Sequence, residues 1–421
     1  MLVPLNESWS SSHIWLHKQP LFLWQMAFFV KIFGASEMAI RIPDIIAHGL
    51  LLLMIYDLGY MIKNKLTGFL AAIVFAYMRF PLIYAAGIEA TDHNDYMFLF
   101  YVTASFWAYF KYESTSQIKF LILLGVFTGF AVLVKWLTGF LVIGVWYTYL
   151  FLFERKSINK ATIALVVAII ISFPWQLYCY LKYPTQFLRE MTFNAEHVTK
   201  ALEGHEGPWY YHFIQLQNLY ADDYLIYVLL FGSILWFALK SKASFKNKYV
   251  ILVSIIVVYT FFSFAQTKMP AFCSICIPLI IIIIMSAVVD ISDKISGNKA
   301  KSFIYIIVTV VLSSYFMNPS YFLKRHTLTF RPEEHKMYKN LHDKMLVNGV
   351  KEIVTGKNAV LMNCGGLAVK VMFYADCDAT DMVLTKDIID KLKKSNYKII
   401  AFRSGLPDYV LNDPEIIKIG K

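Results

Sequence analysis

Long stretches almost free of charge recur along this chain, each about as long as a bilayer core is thick once coiled into a helix. Clear cases are residues 161–181, 249–265, 270–289 and 302–317. About twenty apolar residues cross ~30 Å of hydrocarbon at a rise of ~1.5 Å per residue. A water-soluble fold would have to bury several such blocks on every side, and composition argues against it. Only 16% of residues are charged and 58% are hydrophobic, whereas soluble domains carry about 25% charged residues. The fold class this predicts is an α-helical polytopic membrane protein.

The apolar pattern predicts about ten spans, at roughly 39–62, 68–86, 95–110, 120–134, 137–153, 161–181, 224–239, 249–265, 270–289 and 302–317. Residues 20–33 are apolar but short, which suits a helix at or partly inserted into the interface. Charge then sets a direction. Loops 63–65, 111–119, 154–160, 240–248 and 290–301 together hold 14 Lys/Arg, whereas the opposite short loops 87–94, 135–136 and 266–269 hold only Lys135 and Lys268. The positive-inside rule puts the first set in the cytoplasm. The chain is therefore expected to be multi-pass in the inner (cytoplasmic) membrane, with segment 182–223 and everything after about 318 extracytoplasmic.

The formal charge of +11 is not a nucleic-acid footprint. Residues 322–421 hold 17 Lys/Arg against 12 Asp/Glu, and much of the remaining excess sits in the short loops. Anionic membrane lipids are the partners such a distribution suits. Two domains are predicted: residues 1–320 in the membrane, and a small soluble α/β domain over 321–421. In the latter, β-like runs at 359–363 and 397–402 alternate with helical ones at 367–374 and 387–394. Of five cysteines, Cys273 and Cys276 form a C-x-x-C without a second pair, which argues against zinc. Cys364 and Cys377 share the soluble tail, where an oxidising compartment would allow them to pair.

The polar residues able to do chemistry gather on the face predicted to be outer. His17 and Lys18 precede the short helix. Glu89, Asp92, His93 and Asp95 fill one loop, and Lys135 and Lys268 are that face's lysines. His197, His205 and His212 lie on the long segment, and Arg79 lies near the outer end of a span. An ionisable group at membrane depth is costly, so Arg79 calls for a partner or a function. Together these groups describe a bowl with cations for a phosphate and carboxylates to take a proton from an acceptor hydroxyl. The bland alternatives are aromatics of the headgroup belt, snorkelling lysines and solvated histidines. For Asp95, capping the following helix is expected rather than chemistry.

Six short segments add a resemblance. Trp15-Leu16-His17-Lys18-Gln19-Pro20-Leu21-Phe22-Leu23-Trp24 resembles the HKPPL-x-x-W segment of the polyprenyl-phosphate-sugar-dependent, or C-type, glycosyltransferases. That superfamily includes protein O-mannosyltransferases and the aminoarabinose transferase acting on lipid A. In the same order follow Phe33–Glu37 with Arg41-Ile42-Pro43, then Ala90-Thr91-Asp92, then Leu133-Val134-Lys135, where Trp136 stands in place of a common Gly. Gly204–Tyr211 resembles the family's H-x-x-PWYY. Gln266–Pro270 resembles its KTKLP, with Ala271-Phe272 in place of His-Tyr. The tail beyond 320 takes no part.

The resemblance implies a C-type glycosyltransferase architecture with an extracytoplasmic active site. A sugar would leave a polyprenyl phosphate donor with inversion and pass to a lipid, protein or envelope-glycan acceptor. By the same resemblance Lys18 and Asp92 would be catalytic. His17, Arg79, His93, Lys135, His205, Tyr210 and Lys268 would bind substrate. No cofactor is required, although His17 and His205 would be the pair to hold a divalent metal. The family's acidic pair normally stands a few tens of residues before the His-Lys segment. Here Met1 is sixteen residues before His17 and Glu7 is the only carboxylate between, so the expectation is a chain starting one helix late. A degenerate, non-catalytic member that binds lipid-linked sugar is the alternative. A transporter would gather its charges near the midplane instead.

Overall fold

The computed structural model describes residues 14–87, 94–202, 204–294, 298–321, 352–353 and 358–419. The chain divides into two compact units, one built from Leu16–Ile32 and Met38–Pro319, the other mainly from Ser320–Lys421. The first is helical throughout. Its helices are α1 (Pro20–Phe33), α2 (Glu37–Ile62), α3 (Lys65–Tyr77), α4 (Arg79–Ala85), α5 (Asn94–Thr115), α6 (Ile118–Lys135), α7 (Leu141–Phe153) and α8 (Ile158–Lys182). There follow α9 (Pro184–Thr199), α10 (Tyr211–Ile214), α11 (Leu216–Leu219), α12 (Leu225–Lys240), α13 (Phe245–Phe264), α14 (Ile277–Ser292) and α15 (Asn298–Met317).

Each predicted span coincides with one of these helices or with a broken one. Among the described residues, six segments are long and apolar enough to cross a membrane, or seven if the bent pair α3–α4 counts as one. The gap from ten has physical causes. Ile118–Phe153 is one apolar stretch of 36 residues, but it is too long for a single crossing, and Trp136 interrupts it with a φ of 57°. Gly139 then lies back against α6, where a Cβ would sit 2.5 Å from the Val132 nitrogen. The chain is two helices there. α5 is buried along most of its length and carries Asp95, Lys111 and Glu113 among Tyr, Ser and Thr, so hydropathy undercounts it. α12 has only 16 residues.

Local chemistry sets the breaks. Pro81 has no N–H for the carbonyl of Tyr77, and its ring would crowd that carbonyl, so α3 cannot run on. The helix stops at Met78, whose ψ is 130°, and restarts as α4 bent by 59°. Asn64 caps α3 by accepting from Thr67 N at 2.9 Å. Glycines allow the closest crossings. A Cβ on Gly68 would lie 2.0 Å from the Tyr56 oxygen, and one on Gly125 would lie 2.6 Å from the Ala164 oxygen. α6 therefore meets α8 through Gly125, Gly129, Ala164 and Ala168, a small-residue seam of the kind that packs helices in lipid. α14 is buried on nearly all sides, while 11% of the α15 window is buried.

At the end of the bundle that charge assigns to the cytoplasm, lysines meet acids. Lys63 pairs with Asp290 and Lys111 with Asp57, both at 2.8 Å, and Lys246 bridges Glu113 at 3.0 Å and Glu154 at 2.9 Å.

The second unit is α/β, as its alternation predicts. β1 (Ala359–Met362), α16 (Ala368–Ala375), β2 (Asp378–Ala379), α17 (Lys386–Lys394), β3 (Lys398–Phe402), α18 (Asp408–Leu411) and β4 (Ile417–Ile419) build a parallel sheet in the order β2-β1-β3-β4. Successive side chains of β1 and β3 feed opposite cores. Leu361 and Ile400 pack with Val371 and Ala375, whereas Met362 and Ile399 pack with Ile389 and Val410. The two shortest strands, β2 and β4, escape sequence reasoning. Cys364 and Cys377 are separate buried thiols rather than a pair. Burial pushes them up to about 12 and about 11, which leaves both protonated.

Candidate active site

Segments far apart in sequence converge beside α9 and α13. Residues 266–268 add to the long segment through their backbone. Gln266 N donates to Val198 O at 3.1 Å, Thr267 N to His197 O at 3.0 Å and Lys268 N to His205 O at 2.8 Å. The Thr267 hydroxyl donates to Lys200 O at 3.0 Å and accepts from Leu202 N at 3.2 Å, while His197 Nδ1 lies 2.9 Å from it. Gly207 is needed here, because a Cβ would stand 2.8 Å from the Tyr211 ring and 3.2 Å from the Lys268 side chain. Two of the six resemblance segments, 204–211 and 266–270, are thus spliced together.

His17 reaches the same region through α9. Its Nδ1 lies 3.3 Å from Glu190 Oε2 and its ring 5.4 Å from Phe193, which in turn meets His197 at 5.1 Å. Gln19 accepts from Gln176 of α8 at 2.6 Å. Lys18 is half-buried next to His17. Lys135 closes the other side, paired with Asp95 and 4.4 Å over the ring of Phe272. Asp95 is 3% exposed and spends its carboxylate on that ion pair, which corrects the expectation that it merely caps a helix.

Several of the expected cations are already engaged. Lys268 is 3% exposed, and its Nζ donates to Phe262 O at 2.9 Å and Ser263 O at 2.6 Å. It thereby satisfies carbonyls that the end of α13 leaves without partners. Burial pushes its ammonium below its ordinary value. His212 packs between Phe262 and Phe272 at ring distances of 6.0 and 6.3 Å. Burial, then the Lys268 charge, lowers its imidazole to about 4 against the pull of the Phe262 carbonyl.

Arg79 stands apart from this group. The Pro81 break turns it toward Asp222, which accepts from both terminal nitrogens, one at 2.6 Å, while Asn218 O accepts at 3.1 Å. Asn318 donates to the same carboxylate at 2.7 Å, and Tyr315 donates to Asp223 at 2.6 Å. Burial alone would raise the Asp222 carboxyl, but Arg79 and Asn318 outweigh it and hold the group below the ordinary carboxylate range. His205 is half-buried and Tyr210 exposed. Asp92 and His93 lie outside the described residues. Among the described residues no group of three His, Cys, Asp or Glu side chains is placed to hold a metal ion.

Sequence reasoning missed Glu190, Asp222 and a cluster on α2. Asp44 is fully buried, and one turn on His48 Nδ1 lies 2.6 Å from the hydroxyl of Tyr96. The available signal was an Asp and a His four residues apart inside an apolar span.

Two apolar grooves flank α13. One, of about 530 Å³, is lined by Trp209, Phe213, Phe231, Ile256, Tyr259 and Phe264. The other, of about 550 Å³, is lined by Trp136, Leu141, Met191, Val198, Val258 and Phe262.

Residues 17–178 match the family described as dolichyl-phosphate-mannose-protein mannosyltransferase. An uncharacterised protein of Aquifex aeolicus (strain VF5) is 27% identical over 315 residues, covering 73% of this chain and 60% of its own. The undecaprenyl phosphate-alpha-4-amino-4-deoxy-L-arabinose arabinosyl transferase of Yersinia pestis (strain Pestoides F) is 24% identical over 291 residues, 64% of this chain and 49% of its own. This chain therefore spans about half to three fifths of the length of those relatives. In fold it is similar to ArnT from Cupriavidus metallidurans bound to undecaprenyl phosphate, with a TM-score of 0.62, 13% identity and coverage of 91% of this chain and 78% of that one. It is also similar to the oligosaccharyltransferase AglB from Archaeoglobus fulgidus in complex with an inhibitory peptide and a dolichol-phosphate, with a TM-score of 0.52, 11% identity and coverage of 87% and 56%. The matched segment, the relatives and the fold agree: this multi-pass membrane protein is similar to the polyprenyl-phosphate-sugar-dependent, C-type glycosyltransferases.

Proposed function

We propose that this protein transfers a sugar from a polyprenyl phosphate carrier to an acceptor on the extracytoplasmic face of the inner membrane, with inversion at the anomeric carbon. The observation that carries the reading is the convergence of the segments around His17, Lys135, His205 and Lys268 at one end of the bundle. A relative is named for an undecaprenyl phosphate sugar and a fold neighbour was solved with undecaprenyl phosphate bound, which supports a lipid-linked donor. The polyprenyl tail would lie along an apolar groove beside α13, and the phosphate would meet Lys18. The site chemistry then rests on charge placed in advance where the leaving phosphate gains it. His17, His205 and Tyr210 would shape the pocket. Lys135 and Lys268 would act from their present partners by holding Asp95 and the end of α13 in place. Arg79 would support the site from its pair with Asp222, while Asp92 would orient the acceptor or support the base and His93 would contribute to substrate binding.

The reading needs no resident cofactor, and a divalent ion shared by His17 and His205 would be an addition to it. The test is transfer of radiolabelled sugar from a polyprenyl phosphate donor in membranes holding the full chain, with and without a chelator. Turnover that falls at least tenfold in Lys18→Ala supports the proposal. Donor binding without turnover points instead to a non-catalytic member that holds lipid-linked sugar.

A further inference from the structure

Helix α9 turns a carboxylate inward. Glu190, Phe193 and His197 follow one another at spacings of three and four, which puts them on a single stripe. Glu196 of the same helix pairs with Lys200 at 2.7 Å on the open side, the two side chains 34% and 59% exposed. Glu190 is only 15% exposed, and a carboxylate withdrawn that far from water needs partners. One partner is His17, itself 14% exposed, whose Nδ1 lies 3.3 Å from Glu190 Oε2. A carboxylate only accepts, so the hydrogen of this contact sits on Nδ1. The other is Arg189, at 3.2 Å and half exposed. Phe193 holds His17 a second time, ring to ring at 5.4 Å, and itself meets His197 at 5.1 Å. His197 Nδ1 lies 2.9 Å from the Thr267 hydroxyl. Seven residues of helix, about 10 Å at ~1.5 Å per residue, thus separate the hold on His17 from the hold on Thr267. The neighbouring stripe of α9, made of Met191, Asn194, Ala195 and Val198, walls the groove of about 550 Å³.

We propose that Glu190 is a positioning residue for sugar transfer, acting through His17 to fix where Lys18 presents its ammonium. The inference rests on the glycosyltransferase reading, in which Lys18 meets the donor phosphate. Lys18 follows His17 directly and is half-buried. Its charge rides on a flexible stem, so it is well placed only where the backbone beneath it is held. Glu190 and Phe193 supply that hold on one side, the hydrogen bond setting the rotation of the His17 ring and the aromatic contact its depth. On the other side Gln19, which is buried, accepts from Gln176 of α8 at 2.6 Å. Lys18 is thus bracketed by two anchored side chains. Because α9 also carries His197 and walls a groove, one helix sets the positions of His17, of residues 266–268 and of the groove wall. As the bond from the anomeric carbon to the phosphate oxygen breaks, its electron pair leaves on the polyprenyl phosphate. A lysine placed in advance stabilises that growing charge most in the transition state, so its placement governs the rate more than donor binding.

The test measures sugar transfer from a polyprenyl phosphate donor by the full chain in lipid nanodiscs, with affinity for undecaprenyl phosphate followed separately. Glu190→Ala should lower kcat at least about tenfold and leave that affinity within about threefold. Glu190→Gln, whose amide oxygen can still accept from Nδ1–H, should recover most of the rate. In a Lys18→Ala background, Glu190→Ala should cost no more than about twofold further, whereas a purely structural role would cost the same factor in both backgrounds. Arg189→Gln should leave the rate within about twofold, because that partner of Glu190 is exposed. Retained affinity certifies that a variant is folded, and Glu190→Met, of similar length without an acceptor oxygen, serves where the Ala variant is not. An Ala or Met variant at 190 that binds undecaprenyl phosphate and keeps the wild-type rate overturns the proposal and leaves the glycosyltransferase reading intact. So does a full loss added on top of Lys18→Ala. Wild-type protein that binds undecaprenyl phosphate but transfers nothing overturns both.

Discussion

Two groups show most clearly how burial and charge compete residue by residue. His212 is held neutral, its imidazole lowered to about 4 by burial and by Lys268. The unfolded chain takes up a proton near the ordinary value of ~6.5 and the folded one only near 4. Stability is therefore level above about 6.5 and falls as pH drops toward 4, by about 3 kcal/mol in all. Thermal unfolding in nanodiscs between pH 4 and 7 should show this slope, and His212→Phe should flatten it. Lys268→Met should narrow this window from its acid end and shrink the loss, since removing the like charge lets the folded imidazole rise toward its ordinary value. Asp222 acts in the same direction over a more acidic window. Its carboxyl is held below the ordinary value, chiefly by Arg79 once burial is overcome, so its contribution is present at neutral pH and lost only as the medium becomes strongly acidic. Arg79→Ala should cost about 2 kcal/mol, between the values for exposed and fully buried pairs, because the Asp222 side chain is 42% exposed. A melt of Arg79→Ala as stable as the wild type would show that the pair contributes nothing. The Asp44 and His48 pair in one span carried a signal that sequence reasoning passed over, and Arg79 in another was legible as an anomaly. Their partners, Asp222 and Tyr96, were not, because 143 and 48 residues separate them in sequence.

At the scale of the element, breaks and crossings matter more than hydropathy. The α3–α4 bend follows from Pro81, which a sequence shows, but the use made of it, aiming Arg79 at Asp222, needs the fold. The small-residue seam between α6 and α8 behaves likewise. Gly125 and Gly129 stand four apart and so share a face, yet which helix they meet follows from packing. Gly125→Leu should push its side chain onto the Ala164 oxygen and part the two helices, costing at least about 1–3 kcal/mol. Gly144→Leu, at a position with open space around it, should be tolerated. Proteolysis rates of the two variants in the same membranes compare them directly. α5 gives the converse lesson. Its composition is too polar for the hydropathy test, and its burial among other helices allows it.

For the whole molecule, direction is the testable property. The proposed orientation predicts that a cysteine placed at Glu206 reacts with a membrane-impermeant maleimide in intact cells, whereas one placed at Lys242 reacts only after lysis. Both positions are exposed or half-buried in the fold, and the five native cysteines are all buried, so background labelling should be low. Labelling at Lys242 in intact cells would reverse the assignment of the faces and with it the extracytoplasmic site.

What the sequence determined by itself is what depends on local chemistry and on the solvent. A bilayer admits helices whose apolar length matches its core, so the helical segments, the short apolar helix before them and the α/β alternation of the tail could all be read in advance. Proline and glycine marked the breaks for the same local reason. Tertiary structure alone decided which polar side chains meet. Lys135 finds Asp95, His17 finds Glu190, residues 266–268 join the long segment, and His48 finds Tyr96 beside a buried Asp44. A burial penalty tells that an ionisable group must have a partner, but the partner's identity is set by helix crossings that no local pattern encodes.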